Sequence, residues 1–310
     1  MHAPSGDTVP TSRVRPAQRY AAHSSYSDPG RHAALLEEIE PSIAGASAVA
    51  QNLIAHYRFS KVPLPESSND DINARWLSAI VEIDQGRHAS SLLAPRPEAE
   101  RVQGCCRDQT LLAVGVLRQH GIPARGRVGF ADYLRPGLRI DHVVAEAWMD
   151  GRWIRFDPGL EEPRGRVANP CDIVIGEESP FLTAAAAWSD YRQRGRSVDD
   201  LGVRIGPVDF TGPLFVLSYL IRDVAHRFGD ELLLWDSWGA MPFPGGQVDL
   251  ELGDVLADLV QRADRGDGDA ERALQELYEQ DSRIRVGDEV LQFSPRGEPP
   301  VRVLLAAPSR

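Results

Sequence analysis

The sequence contains few cysteines and no long apolar run. Three cysteines stand among 310 residues, and two of them, Cys105 and Cys106, are adjacent. Such sparse usage argues against a disulfide framework, and adjacent cysteines lack the spacing of a zinc site. No apolar stretch approaches the roughly 20 residues that a transmembrane helix requires. We therefore expect no disulfide scaffold, no metal site and no membrane-spanning segment.

The chain also lacks an excess of basic residues and a recognisable secretory signal. Aspartate and glutamate together number 45 against 34 lysines and arginines, so the formal net charge is −11. An acidic protein is a poor partner for nucleic acid or for an anionic membrane surface. Residues 1–6 do not have the charged-then-apolar plan of a secretory signal. These features predict a cytoplasmic protein that binds neither nucleic acid nor membrane.

Composition divides the chain into a polar N-terminal stretch, a long patterned region and a short C-terminal stretch. Residues 1–30 are rich in proline, serine, glycine and charge without apolar periodicity, and they predict a flexible tail. Residues 31–298 carry helix and strand patterns with no long linker, which predicts a single domain. We expect its core at about residues 96–176 and a helical C-terminal part at about residues 177–298. Residues 299–310 predict a second tail.

One stretch combines a reactive residue type with a helix start. Gly104-Cys-Cys-Arg-Asp108 is followed by an apolar run up to His120, which predicts a central buried helix. A cysteine at a helix N-terminus faces unpaired backbone N–H groups and the positive end of the helix dipole, and both favour a thiolate. These arguments do not separate Cys105 from Cys106, so either cysteine is a candidate nucleophile.

A predicted β-hairpin downstream carries a histidine and an aspartate. The turn signal Asp150-Gly151 separates two strand-like runs. If Trp148 pairs with Trp153, the end of the second strand returns beside the start of the first. His142 and Asp157 then lie together near the cysteine-bearing helix. They are the residue types that serve as the base, and as the acid that orients it, for an activated nucleophile.

These motifs resemble the core of bacterial transglutaminase-like proteins, which have a papain-like fold. The resemblance covers residues 101–160 and rests on Gly104-Cys-Cys-Arg-Asp108, Leu117-Arg118, Gly121-Ile-Pro-Ala-Arg125, Gly129-Phe130, Asp141-His142, Glu146-Ala-Trp148, Trp153 and Asp157-Pro158. Members of the family usually read Gly-x-Cys-Arg-Asp, so the resemblance aligns Cys106 with the nucleophile. It aligns His142 with the base and Asp157 with the orienting acid.

The resemblance also implies a fold. We expect an α+β architecture in which the cysteine-bearing helix packs on a small antiparallel sheet, with additional helices toward both ends of the chain. Residues 31–298 would then form a single transglutaminase-like domain. A looser resemblance of the C-terminal half to a standalone bacterial subgroup rests on Phe181, Trp188, Leu220-Ile-Arg-Asp223 and Trp235-Asp236-Ser-Trp238-Gly239.

Three further residues are candidates for contacts with a substrate or its oxyanion. Gln103 precedes the cysteines, although papain-like enzymes place their glutamine at a different offset. Glu146 shares a predicted strand face with the candidate base, where it would bind a substrate amine or pair with Arg125 or Arg127. Tyr133 belongs to a loop beside the predicted site, and loops in such positions often act as substrate lids.

The resemblance implies acyl chemistry through a cysteine thioester, without a metal or an organic cofactor. The acyl donor would be a small molecule, a peptide or a carrier-bound acyl group, and the acceptor an amine or water. An amine acceptor makes the protein an acyltransferase, whereas water makes it an amidase or a cysteine peptidase. A non-catalytic interaction module that retains the fold is the third possibility. The sequence does not determine the oligomeric state.

Overall fold

The computed structural model describes residues 17–205, 208–242 and 246–306. Within these ranges the α-helices are α1 (Ala33–Glu37), α2 (Ile43–Leu53), α3 (Leu77–His88), α4 (Cys106–Gln119), α5 (Ala184–Arg194), α6 (Pro213–Arg227), α7 (Leu250–Asp264) and α8 (Gly268–Gln280). The strands are β1 (Ile54–His56), β2 (Val102–Gly104), β3 (Ala124–Ala131), β4 (Arg139–Met149), β5 (Arg152–Phe156), β6 (Phe181–Thr183), β7 (Leu201–Ile205), β8 (Val208–Thr211), β9 (Asp236–Ser237), β10 (Glu289–Gln292) and β11 (Val301–Leu304). None of the described helices has the length and apolarity needed to cross a bilayer.

The largest sheet has the strand order β6-β3-β4-β7-β8, and β5 also pairs with β4. One edge of β4 pairs antiparallel with β3, whereas its other edge is shared between two strands. On that edge β5 pairs with residues 145–149 and β7 with residues 139–140. Residues 141–144 therefore have no strand partner there within the described sheet. This short gap in the ladder leaves room for side chains to approach β4 from the side.

The expected α+β fold is confirmed, with a sheet that is larger than the predicted hairpin. Strand β7 runs parallel to β4, because it enters the sheet after the helix α5, and a helical connection permits parallel pairing. The hairpin itself has the predicted register, with Trp148 opposite Trp153. Its turn has positive φ at both Asp150 and Gly151, as a two-residue hairpin loop of this hand requires.

The cysteine-bearing helix α4 is buried along almost its whole length. Every residue from Cys106 to Arg118 is buried. The helix packs against α2 and against strands β3 and β4. Its end is marked by Gly121, whose φ of +71° places it in the left-handed region that favours glycine. The predicted central helix is therefore present, and its surroundings fix the position of its N-terminus.

The prediction of a flexible tail at residues 1–30 does not hold for residues 17–30, and residues 1–16 lie outside the described residues. Tyr20 is buried with its ring edge-on to Trp153, at a centroid distance of 5.6 Å. Tyr26 is buried and stacks on Trp76 at 6.2 Å. Two aromatic rings in a polar stretch bury enough apolar surface to dock the stretch on the rest of the protein. The polar composition of the whole stretch does not reveal these two rings.

The C-terminal predictions need two similar corrections. The segment at residues 177–298 is not purely helical, because it also contributes β6 to β10. Residues 299–310 are not simply a tail, since β11 pairs antiparallel with β10, while residues 307–310 lie outside the described residues. The sheet β11-β10-β9 is built from strands of two to four residues. Runs this short give little periodicity in a sequence.

A buried ion cluster ties the sheet to the C-terminal helices. Arg125, Glu146 and Arg155 lie directly opposite one another on three adjacent strands. Glu146 accepts from Arg155 at 2.7 Å and from Arg125 at 2.8 Å, and it is 1% exposed. Burial alone would raise the pKa of Glu146, but the three arginines around it, the third being Arg127, lower it well below its ordinary value of 4.5. Glu146 is therefore a structural anion.

We expect Glu146→Gln to destabilise the fold, because it leaves buried arginines without their counter-charge. Breaking a buried pair typically costs about 3–5 kcal/mol, which corresponds to a fall in melting temperature of roughly 5–15 °C for a chain of this size. The control is Glu276→Gln on an exposed position of α8, which should change little.

The same variant should alter the pH dependence of stability. A carboxylate whose pKa is lowered on folding stabilises the folded state at pH values above its ordinary pKa. This stabilisation is lost as the pH falls toward the lowered pKa. The gap in melting temperature between wild type and Glu146→Gln should therefore narrow as the pH falls below about 4.5. A gap that widens in acid would contradict the assignment of Glu146 as a structural anion.

Candidate active site

Cys106, His142 and Asp157 come together where the N-terminus of α4 faces the unpaired stretch of β4. His142 Nε2 lies 2.8 Å from Asp157 Oδ2, and the side chains of His142 and Cys106 are hydrogen-bonded to each other. The three residues are 5%, 6% and 2% exposed, respectively. Asp157 follows the last residue of β5, so the predicted hairpin register delivers it to His142. The structure brings together all three residues that the sequence singled out.

Asp157 is held in place by more than His142. Its Oδ2 also accepts a hydrogen bond from the Tyr133 hydroxyl at 2.7 Å, and its Oδ1 accepts from the backbone N–H of Gly159 at 3.0 Å. The ring of Tyr133 stands edge-on to that of His142 at a centroid distance of 6.0 Å. Burial and the Asp157 carboxylate raise the pKa of Tyr133 well above its ordinary value, which keeps the hydroxyl protonated as a donor.

The charge states of Cys106 and His142 are coupled. The pKa of Cys106 lies well below its ordinary value, first because the Cys105 thiol hydrogen-bonds to it and then because His142 lies beside it, although burial opposes both. Burial alone would lower the pKa of His142, but Asp157 and the Cys106 thiolate raise it well above its ordinary value. These shifts favour a buried thiolate–imidazolium pair.

Cys105 has the opposite electrostatic character to its neighbour. The pKa of Cys105 lies well above its ordinary value, because its thiol hydrogen-bonds to Cys106 and because it is buried. It is the N-cap of α4, and its backbone N–H donates to Asp108 Oδ2 at 2.8 Å. These opposite shifts favour Cys105 as the protonated neighbour and Cys106 as the thiolate, in line with the alignment that the family resemblance implies.

The residues around the two cysteines fix the start of the helix. Arg107 donates to Asp108 at 2.8 Å and to the backbone carbonyl of Glu231 at 3.0 Å. A Cβ on Gly104 would lie 2.8 Å from Asp108 Oδ2 and 3.0 Å from Ile54 Cγ2. Only glycine leaves room for this carboxylate beside the helix N-terminus. Most residues of the Gly-Cys-Cys-Arg-Asp motif therefore serve to hold the start of α4, and with it the two cysteines, in place.

His56 is a residue of the site that the sequence does not reveal. Strand β1 pairs in parallel with β2, and this pairing places His56 opposite Gly104. His56 Nδ1 accepts a hydrogen bond from the backbone N–H of Arg58 at 3.2 Å, which leaves the proton of the neutral ring on Nε2. The side chain also hydrogen-bonds to Cys106. The apolar pattern of residues 44–57 reads as one helix, whereas α2 ends at Leu53 and a strand follows.

None of the three accessory candidates is placed to contact a substrate or its oxyanion. Gln103 donates its amide hydrogens to the Pro65 carbonyl at 2.9 Å and to Ser68 Oγ at 2.8 Å, so no amide hydrogen is left for an oxyanion. Glu146 pairs with arginines, which was one of its two expected roles, and it lines no cavity at the site. Tyr133 binds Asp157 rather than substrate and likewise lines neither cavity.

Two cavities meet at Cys106, and His56 and Asp141 line both of them. The first, which we call the polar cavity, has a volume of about 420 Å³ and also contains His142 and Asp157. Its charged lining consists of Lys61, Glu98, Arg101, Glu161, Glu162 and Arg164. The second, the aromatic cavity, has a volume of about 540 Å³. Its rings are those of Tyr57, Phe59, Phe210, Phe215, Tyr219, Trp235 and Phe293.

The described ranges contain no group of three or more histidine, cysteine, aspartate or glutamate side chains arranged to hold a metal ion. A buried cysteine, histidine and aspartate at a helix–sheet junction instead support a class, the cysteine-dependent enzymes of the papain-like kind. Residues 33–158 match the family model of the transglutaminase-like superfamily. This segment, which contains Cys106, His142 and Asp157, is therefore similar to the transglutaminase-like superfamily, and the resemblance noted in the sequence is confirmed.

No curated protein matches the chain. A solved crystal structure described as "a Putative Cysteine Protease from Cytophaga hutchinsonii" is similar at 21% sequence identity, with a TM-score of 0.29. The similarity covers 50% of this chain and 46% of that one, so the chain spans less than half of that protein. The activity in that description belongs to the Cytophaga protein.

Alkylation by iodoacetamide at different pH values tests the coupled thiol pair. Cys106 should stay reactive below about pH 7, because a thiolate with a lowered pKa persists there. Cys171 is an internal reference, since it is half-buried and burial raises its pKa. Peptide mass analysis resolves the two sites. Identical pH profiles for Cys106 and Cys171 would refute the lowered pKa.

The variants Cys105→Ala and Cys105→Ser form a matched pair for the same measurement. Alanine removes the hydrogen bond to Cys106, so the pH midpoint of Cys106 alkylation should rise. Serine keeps a donor at that position, so its midpoint should lie closer to that of the wild type. An equal shift in both variants would show that packing, rather than the hydrogen bond, lowers the pKa.

Proposed function

We propose that this protein catalyses acyl transfer through a thioester on Cys106, forming or exchanging an amide. The observation that supports the proposal most directly is the buried cluster of Cys106, His142 and Asp157, in which His142 Nε2 lies 2.8 Å from Asp157 Oδ2. A nucleophile, its base and the group that orients the base are the parts of covalent acyl catalysis. Their position where two cavities meet gives the acyl group and the acceptor separate approaches to one sulfur atom.

The chemistry proceeds in two balanced steps. The Cys106 thiolate adds to the carbonyl carbon of a thioester or amide donor, and the tetrahedral intermediate collapses with cleavage of the bond to the leaving group. The His142 imidazolium gives its proton to that leaving thiol or amine. In the second step neutral His142 takes a proton from the acceptor, whose nitrogen or oxygen attacks the thioester and releases the Cys106 thiolate.

Two donors face the site where the oxyanion develops. The backbone N–H of Cys106 is at the first position of α4, where N–H groups have no partner within the helix. The side chain of His56, on β1, lies close enough to Cys106 to lower the pKa of its thiol. We assign His56 the role of the second oxyanion donor, because a preorganised N–H group aimed at the reacting carbonyl stabilises the intermediate.

The polar cavity is the natural approach for the acceptor, because His142 lines this cavity and not the aromatic one. Glu98, Glu161 and Glu162 line it together with Lys61, Arg101 and Arg164, so the lining carries both signs of charge and accommodates a polar acceptor. We propose an amine as that acceptor. Water attacks the same thioester, so an amidase or peptidase reaction uses the same residues and is the alternative outcome of the experiment.

Exposure to a simple acyl thioester, such as the acetyl thioester of N-acetylcysteamine, tests the proposal. Intact mass should increase by one acetyl group, and the adduct should map to Cys106. Cys106→Ala should abolish the adduct, and the control Cys171→Ala should leave it unchanged. Addition of primary amines should then clear the adduct and yield the amide. If water clears it equally fast with and without amine, the protein is a hydrolase.

The role of His56 can be separated from its effect on the thiol. Alkylation by iodoacetamide needs a thiolate but forms no oxyanion, whereas acylation by the thioester needs both. At alkaline pH, where Cys106 is fully ionised in every variant, His56→Ala should slow acylation by about 100-fold and leave alkylation within a few-fold of wild type. His56→Gln, which restores an N–H donor, should recover part of the rate. Equal losses in both reactions would exclude an oxyanion role.

A further inference from the structure

The aromatic cavity has a chemical character that the proposed reaction leaves unexplained. Helix α6 lines one wall with Phe215 and Tyr219, whose rings stack at a centroid distance of 4.3 Å. Phe210 meets Phe215 edge-on at 5.0 Å. On another part of the lining, Tyr57 and Trp235 meet edge-on at 6.1 Å. Walls built of paired rings suit a flat apolar group, which contacts ring faces and edges in offset or T-shaped geometry.

The path of the reaction decides which part of the substrate enters this cavity. His142 must reach both the leaving group and the acceptor, because it transfers a proton to one and from the other. His142 lines only the polar cavity, whereas Cys106 lines both. Leaving group and acceptor therefore belong on the polar side, and the acyl group that becomes bound to Cys106 extends into the aromatic cavity.

Arg222 places a buried positive charge in the lining of this cavity, which also contains Asp141, Asp209 and Asp236. It is 3% exposed, and its only hydrogen bond within the described ranges runs from Nη2 to the backbone carbonyl of Asp236 at 2.5 Å. Its Nε is buried without a partner, and no described carboxylate forms an ion pair with it. Its other contacts are with aromatic faces, with Cζ 5.1 Å from the ring centroid of Tyr219.

The carboxylates nearest to Arg222 are engaged elsewhere. Asp236 Oδ1 and Oδ2 accept from Arg75 at 2.7 and 3.0 Å. Asp141 Oδ2 accepts from the Tyr219 hydroxyl at 2.5 Å. An arginine that is buried without a direct ion pair carries a desolvation cost, which the charges of Asp141 and Asp236 offset only in part, so the pKa of Arg222 lies below its ordinary value. A ligand that brings a negative charge into the cavity would offset that cost, because charge-assisted hydrogen bonds to arginine are strong and geometrically specific.

We propose that the aromatic cavity binds the acyl part of the donor, and that this acyl group is an aryl or arylalkyl unit bearing a carboxylate that pairs with Arg222. This inference rests on the proposed acyl transfer and adds the class of donor to it. The rings supply the contact area, and Arg222 supplies the charge that selects an anionic aromatic acyl group over a neutral one. Apart from Tyr57 and Phe59, these rings and Arg222 lie beyond residue 158, outside the segment that matches the superfamily.

Three thioesters of N-acetylcysteamine test the proposal, with acetyl, phenylacetyl and (4-carboxyphenyl)acetyl as the acyl groups. They share one small leaving group, so differences report on the acyl side alone. Loss of thioester absorbance gives kcat/KM, and intact mass confirms the adduct on Cys106. We expect kcat/KM to rise about tenfold from acetyl to phenylacetyl and about tenfold again with the carboxylate. This comparison uses the wild-type protein and depends on no variant folding.

Arg222→Met should remove the gain that the carboxylate gives while keeping the gain from the phenyl ring. Arg222→Lys, which keeps the charge but not the planar fork, should retain part of the preference. Phe210→Ala should lower kcat/KM for both aromatic donors by a larger factor than for the acetyl donor. The matched surface control is Arg272→Met, at an exposed position on α8. Melting temperatures identify any variant that fails to fold.

The outcomes separate this inference from the function on which it rests. If none of the three thioesters acylates Cys106, the proposed function itself fails. If all three acylate Cys106 at similar rates in the wild type, acyl transfer stands and the donor class is wrong. If Arg222→Met slows the neutral and the carboxylated aromatic donors equally, Arg222 supports the cavity wall and does not bind a carboxylate.

Discussion

The arrangement of the site depends on one hydrogen bond, between His142 and Asp157, and that bond depends on how β4 shares its edge. Strand β5 pairs with one half of the edge and β7 with the other end, so the stretch that bears His142 is unpaired on that side. Asp157 enters this gap directly after β5. A continuous neighbouring strand would bring its own side chains to the place that Asp157 occupies. The geometry of the candidate site therefore depends on the interruption of the β-ladder at residues 141–144.

Much of this arrangement could be predicted from the sequence, because local signals set it. The Asp150-Gly151 turn fixed the register of the hairpin, and the register brought Asp157 to His142. The apolar run after Cys106 predicted a buried helix with a cysteine at its start, and the structure has one. These features depend on turn chemistry and periodicity within short stretches, where sequence patterns are most informative.

What the sequence could not give depends on contacts between distant segments. His56 reaches Cys106 only because β1 pairs with β2, and both strands are three residues long. Tyr133 was correctly placed near the site, yet its partner, the acid Asp157 rather than a substrate, emerges only from the packing. Glu146 lies on the expected strand and pairs with Arg125 and Arg155, whereas its position on that strand left open whether an arginine or a substrate amine would be its partner. Periodicity assigns a residue to a face and does not identify what covers that face.

The walls of the two cavities come from different segments of the chain. Residues 51–164 build the polar cavity, together with the nucleophile and its base, whereas most of the aromatic cavity comes from residues 203–295. The two segments are separate in the sequence and come together only in the folded protein. Substitutions at the rings of the later segment can therefore change the aromatic cavity without replacing Cys106, His142 or Asp157. With such a division, substitutions in the later segment can change which substrate binds while the reactive residues stay the same. It also gives protein engineers a boundary at which the segment that lines the aromatic cavity can be exchanged.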